Sequence, residues 1–188
     1  FAEGNTASRT TDYQTATLNW NKDGVHLIGV NDAPQIGQRS RVAFQSAYAA
    51  AGNLFTLSAN NCLISNIEMF MGVASILPIG CMKVTGQRNH IVNCQISGFG
   101  NSANDIAAAY SLDLAGAAEN TFEDCYIGLD TVVLGANANS QILCASQATR
   151  NILRRCQIAT YTNHATNNNF LRAPTGSLDR WLMFDDCL

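Results

Sequence analysis

Eight carboxylates fall between positions 113 and 186: Asp113, Glu119, Glu123, Asp124, Asp130, Asp179, Asp185 and Asp186. Two of them held about 5–10 Å apart across a glycosidic bond would supply an acid and a base or nucleophile for glycoside hydrolysis. Three histidines, His26, His90 and His164, are widely separated, and the spacing predicts different faces for them rather than a shared metal site. Ser111 and Ser177 have no His in register, so a nucleophilic triad finds no support. Seven cysteines form an odd set with no CxxC pair and no Cys/His zinc spacing. They read as reduced, buried side chains behaving as small hydrophobes.

The cysteines have a spacing of their own. Cys94, Cys125, Cys156 and Cys187 recur at intervals of 31 residues. Three positions before each stand Ile91, Phe122, Leu153 and Phe184, and two after the first three stand Ile96, Ile127 and Ile158. Five before stand Asn89, Asn120 and Asn151, with Leu182 breaking the fourth copy. A weaker earlier copy, "NCLISNIEMF" (61–70), aligns Asn66 and Ile67 with Asn93 and Cys94. Upstream of each copy lies a second alternating run: "LFTLSA" (54–59), "CMKVTG" (81–86), "SLDLAG" (111–116), "QILCAS" (141–146) and "NFLRAP" (169–174).

Periods of 20 to 50 residues indicate solenoids, propellers or arrays. Apolar residues at i and i+2, bounded by Gly and Asn, exclude the helical repeats of similar length. The L-x-x-L-x-L skeleton is missing, and a WD-type blade would need about 40 residues. The pattern predicts a single-stranded right-handed parallel β-helix, all-β, of about six coils. Residues one period apart then lie above one another at about 4.8 Å. Cys94, Cys125, Cys156 and Cys187 become a stack at a tight corner, and the three isoleucines an aliphatic stack. Asn89, Asn120 and Asn151 become a turn ladder, since Asn tolerates the left-handed conformation and its amide can bond the Asn above.

The same alignment pairs charges. One position before the Cys the coils carry Asp124, Arg155 and Asp186; two before, Glu123, Arg154 and Asp185. These are expected to form two alternating-sign ladders on the surface, each pair contributing at most about 1 kcal/mol. Tyr126 is expected to point outward between Gln95 and Gln157. With Trp20, Trp181, Tyr110 and Tyr161 it completes the set of aromatic candidates for stacking on a sugar. The Ala-rich stretch within 38–53 reads as a short excursion from the stack.

Composition narrows the partners. The 188 residues carry 13% charged side chains, a formal net charge of −3 and 20 Asn. No basic footprint points to nucleic acid, no basic amphipathic face to a membrane surface, and no apolar run approaches the roughly 20 residues of a spanning helix. "GFGNSAND" (98–105) lacks the Lys-Ser/Thr of a phosphate loop. The chain reads as one domain over 1–188, with both ends looking cut, as in an internal segment of a longer chain.

"KDGVHLIGVN" (22–31), the "RN-x-Φ-x-x-C-x-Φ" units and the closing "GSLDRWLMF" (176–184) resemble right-handed β-helix proteins of the pectate-lyase-like superfamily. More narrowly, they resemble β-helical virion proteins of tailed bacteriophages. The resemblance implies a rigid structural part of a virion, a head-decoration or spike module, trimeric and in contact with other virion proteins. Its enzymatic relatives imply the alternative, a tailspike module that binds or cleaves a host glycan, and its lyases imply Asp-rich calcium ligands with nearby Arg or Lys. Residue by residue, the sequence assigns no catalytic, cofactor or metal ligand. An acid pair outside the ladders, such as Asp105 and Asp130, would be needed for glycan cleavage.

Overall fold

The computed structural model describes residues 3–4, 10–30, 40–44, 52–136, 138–163 and 169–188. Three strands and three bends make one coil, and successive coils pair in parallel, giving a parallel β-solenoid with three faces. Face one holds Thr10–Gln14, Ser40–Phe44, Glu68–Phe70, Gln95–Ser97, Tyr126–Leu134 and Gln157–Thr162. Face two holds Leu18–Trp20, Gly52–Leu57, Pro78–Val84, Tyr110–Ala115, Ser140–Ser146 and Asn169–Arg172. Face three holds Leu27–Ile28, Leu63–Ser65, His90–Val92, Thr121–Glu123, Asn151–Arg154 and Leu182–Asp185. A two-residue strand, Glu3–Gly4, lies antiparallel on face one.

About four turns repeat regularly, against the six expected. The regular run begins at Glu68. Earlier passes do pair in register, but the stretches 31–39 and 45–51 between their strands lie outside the described residues. Most of the Ala-rich excursion expected within 38–53 falls there too. Its described start, Ser40–Phe44, is a strand with Val42, Ala43 and Phe44 buried.

The 31-residue period becomes register. Ile64, Ile91, Phe122, Leu153 and Phe184 form one inward column. Met69, Ile96, Ile127 and Ile158 form a second, and Phe55, Met82, Leu112, Ile142 and Leu171 a third. All but the outermost members are fully enclosed, each contributing roughly 2–3 kcal/mol of hydrophobic stabilisation. The columns meet in one continuous core. Stacked like residues satisfy every coil at once, because each side chain packs on a neighbour of its own shape.

The tight bends explain the cysteines. Asn66, Asn93, Asp124, Arg155 and Asp186 all have positive φ, between 49° and 59°, and the next residue is the corner Cys in four of these coils. The bend brings two backbone carbonyls within reach of each corner side chain. Each thiol donates to two of them. Cys125 Sγ reaches Ile91 O at 3.5 Å and Glu123 O at 3.3 Å, Cys156 reaches Phe122 O and Arg154 O, and Cys94 and Cys187 repeat the pattern. A small side chain with a weak donor fits where a methyl could not bond and a hydroxyl would be less polarizable. All seven cysteines are free, and all but Cys187 are buried. Burial pushes the Cys94 thiol up to about 12, which keeps it a protonated donor.

The asparagine ladder forms with the expected amide-to-amide bonds, but without the left-handed backbone expected at the Asn residues. Asn89 donates from its backbone N and from Nδ2 to Asn120 Oδ1, and Asn120 does the same to Asn151 Oδ1. Cys62 N takes the equivalent bond to Asn89 Oδ1 at 2.8 Å. The left-handed residues are the ones just before: Asn61, Arg88, Glu119 and Arg150. The amides are therefore selected for their bonding capacity inside the turn, while the backbone reversal falls on outward-facing neighbours.

Candidate functional site

Among the described residues, two corners of the solenoid carry most of the ion pairs. Where face three turns into face one, Arg155 donates from Nε to Asp124 Oδ1 at 2.8 Å and from Nη2 to Glu123 Oε1 at 2.6 Å. Arg154 pairs with Asp185 at 2.8 Å, and His90 Nε2 lies 2.9 Å from Glu123 Oε2. Each expected ladder keeps one rung, Asp124–Arg155 and Arg154–Asp185, and a crossed bond from Arg155 to Glu123 joins them. Arg155 gathers both carboxylates of the coil before it, because its left-handed backbone turns the side chain across the corner. At the other bend a ladder that the alignment also contained, Arg88–Glu119–Arg150, is closed by bonds of 2.8 and 2.6 Å. Hydrogen bonds from the Arg partners hold Glu119, Glu123 and Asp124 below the usual carboxylate range. Carboxylates so held are poor general acids.

The remaining acids are also occupied or isolated. Asp105 accepts from Gly135 N, Ala136 N and Asn139 Nδ2, the last at 2.6 Å. It pins the loop of the next coil, while Asp130 is exposed on face one. Asp179 contacts Arg180 at 3.4 Å. Asp113 is the exception. It is buried on face two, where Ala145 N donates to it and Lys83 Nζ lies 3.9 Å away, and desolvation raises its pKa. Among the described residues no three His, Cys, Asp or Glu side chains converge as a metal site.

The histidines depart from expectation in one respect. His26 and His90 flank Leu63 in one column of face three, two coils apart. His26 Nδ1 accepts from Leu63 N at 3.0 Å, and His164 lies outside the described residues. Ser111 Oγ donates to Gln141 Oε1 at 2.6 Å and Ser177 Oγ to Pro174 O at 2.6 Å, neither with a His.

The aromatic candidates do not form a platform. Tyr126 does stack between Gln95 and Gln157, but it is only 4% exposed, as is Tyr110. At Glu68, Gln95 and Tyr126 the outer side of face one is covered, which the exposed placement expected for Tyr126 did not include. Loops that leave this corner build a second layer with its own small core of Phe99, Ala109 and Leu134. Asn104 bonds Val73 O in the coil before, Asp105 bonds the coil after, and a 3-10 turn at Ser102–Asn104 is closed by a capping box from Asn101. Trp20 donates from Nε1 to Val25 O, leaving Trp181 and Tyr161 exposed.

Two cavities accompany this arrangement. One, of about 560 Å³, opens at the last coil and is lined by Ile158, Thr160, Phe170, Phe184, Cys187 and Leu188. The other, of about 290 Å³, lies beside the loop layer, where Arg41, Phe70, Gly72, Val73 and Asn101 meet. Among the described residues no helix is long and apolar enough to cross a membrane. Fold and side chains together define a parallel β-solenoid with committed surface charges. Compared with protein-family models, curated proteins and solved structures, the chain matches none.

Proposed function

We propose that this solenoid is a rigid, non-catalytic structural module of a tailed-phage virion, a head-decoration or spike element that contacts other virion proteins and assembles as a homo-oligomer. The phage setting rests on the sequence resemblance. The observation that carries the non-catalytic part is the commitment of the carboxylates. Glu119, Glu123, Asp124 and Asp185 are bonded to Arg, and Asp105 accepts from Gly135 N, Ala136 N and Asn139. Stacked ladders that satisfy each coil through its neighbours suit a rod that resists proteases.

The corresponding experiment incubates the protein with capsule and lipopolysaccharide from a host strain and measures reducing ends and unsaturated sugars. No release above the buffer control is expected. Oligosaccharide release abolished by Asp105→Asn with Asp130→Asn would replace this reading with a glycan-cleaving tailspike.

A further inference from the structure

One end of the stack presents open edges. Among the described residues Gln157–Thr162, Asn169–Arg172 and Leu182–Asp185 are each terminal in their sheets, so one side of every strand faces no neighbouring strand. On face one a neighbour has only begun: Leu188 N donates to Cys156 O at 3.0 Å, and Ile158 N donates to Leu188 O at 2.9 Å. The core is uncovered in the same place. Phe184 is 36% exposed, whereas Ile91, Phe122 and Leu153 in its column are fully enclosed. It meets Phe170 edge to face with centroids 6.4 Å apart, and both rings line the cavity of about 560 Å³. Open strand edges beside uncovered apolar side chains are templates for pairing with another chain.

The corner adds a charge to this opening. Asp124, Arg155 and Asp186 alternate in sign along one column. Arg155 bonds Asp124 and Glu123 in the coil before it, and Asp185 has its partner in Arg154. Asp186 is exposed and forms no ion pair among the described residues. The position that continues the alternation, one coil beyond Asp186, therefore calls for a cation. A second copy stacked head to tail does not supply it. In the same columns the first coil carries Ile28, paired with Ser65, and Gly29, whose N bonds Ser65 O. Face one of that coil is also bordered already by the antiparallel strand Glu3–Gly4.

We infer that this end docks an extended segment of a partner polypeptide by strand addition, parallel to Leu182–Asp185 and continuing over the corner. The segment carries a large apolar residue over Phe184, a Lys or Arg over Asp186 and a small residue over Cys187. Two places further on, an apolar residue enters the cavity lined by Ile158 and Phe170. Main-chain bonds to the open edge give affinity, and the side-chain positions give selectivity. The inference rests on the edge and the carboxylate and does not depend on the virion role.

The test titrates isotope-labelled protein, under reducing conditions, with a peptide copying residues 151–158 and carrying alanine in place of the cysteine. Laid over Leu182–Cys187 in the register this stretch already holds there, the peptide puts Leu over Phe184 and its second Arg over Asp186. Saturable binding in the millimolar range is expected, with amide shifts at residues 182–188 and none in the first coil. A peptide with glutamate for that second arginine is expected to bind about threefold more weakly at low salt, the size of one exposed ion pair. Asp186→Lys, at an exposed side chain, should reverse the preference. No saturation up to about 5 mM would overturn the inference. So would equal affinity for the two peptides in both proteins, or self-association of the protein alone that shifts the amides of residues 182–188.

Discussion

At the scale of single residues, buried polar groups in this chain are valuable only where their bonds are complete. Asn120 takes two hydrogen bonds from Asn89 and donates Nδ2 to Gly86 O and to Asn151 Oδ1. Asn120→Ala strands several enclosed partners at once and is expected to cost on the order of 3 kcal/mol in urea unfolding. Asp113 acts in the opposite direction. Burial raises its folded pKa above the unfolded value, so the charged form is penalised in the fold at neutral pH. Asp113→Asn keeps an oxygen for Ala145 N and is expected to melt above the parent at pH 7. The gap should vanish below the ordinary carboxylate pKa of about 3.9, which thermal melts from pH 3 to 8 would reveal. A parent more stable than Asp113→Asn at pH 7 contradicts this account of the site.

At the scale of the repeating element, the charged corner gives a salt-sensitive prediction. Asp124, Arg155 and Asp186 occupy successive coils about 4.8 Å apart. Arg155→Asp would stack three like charges there, whereas Arg155→Ala only removes three hydrogen bonds. The Asp variant should melt lower than the Ala variant at low ionic strength, and the difference should shrink in 1 M salt. The Arg bonds depress Glu123 and Asp124, so their support is present above the unfolded carboxylate pKa and is lost as pH falls through the folded one. Arg155→Ala should therefore flatten the acid side of the stability profile. The element was largely legible in the sequence, because a β-solenoid converts spacing directly into contact. The Cys, Ile and Asn columns were visible for that reason. The same alignment held the Arg88–Glu119–Arg150 ladder, and reading six positions before the Cys would have found it. The crossed pairing of Arg155 was not legible, since it follows from a left-handed corner and not from a column. The covered outer side of face one was hidden likewise. Period-2 alternation places Tyr126 outside the coil but says nothing of loops folded over it.

For the whole molecule, the distribution of charge separates two kinds of surface. The corners bounding face three carry most of the ion pairs among the described residues, while the loop corner between faces one and two exposes Ile76, Leu77, Ile79 and Val133. An uncharged apolar flank running alongside a rigid body is suited to lateral contact with other subunits. Function was the least legible level, because an enzyme and an inert rod share this fold and differ only in which carboxylates are left unpaired. The most direct test of the proposed role is quantitative mass spectrometry of gradient-purified phage particles from a culture carrying this coding sequence. The account predicts peptides of this chain in intact particles at a fixed copy number relative to the major capsid protein. Their absence from particles, with recovery in the cell-free soluble fraction, would contradict it.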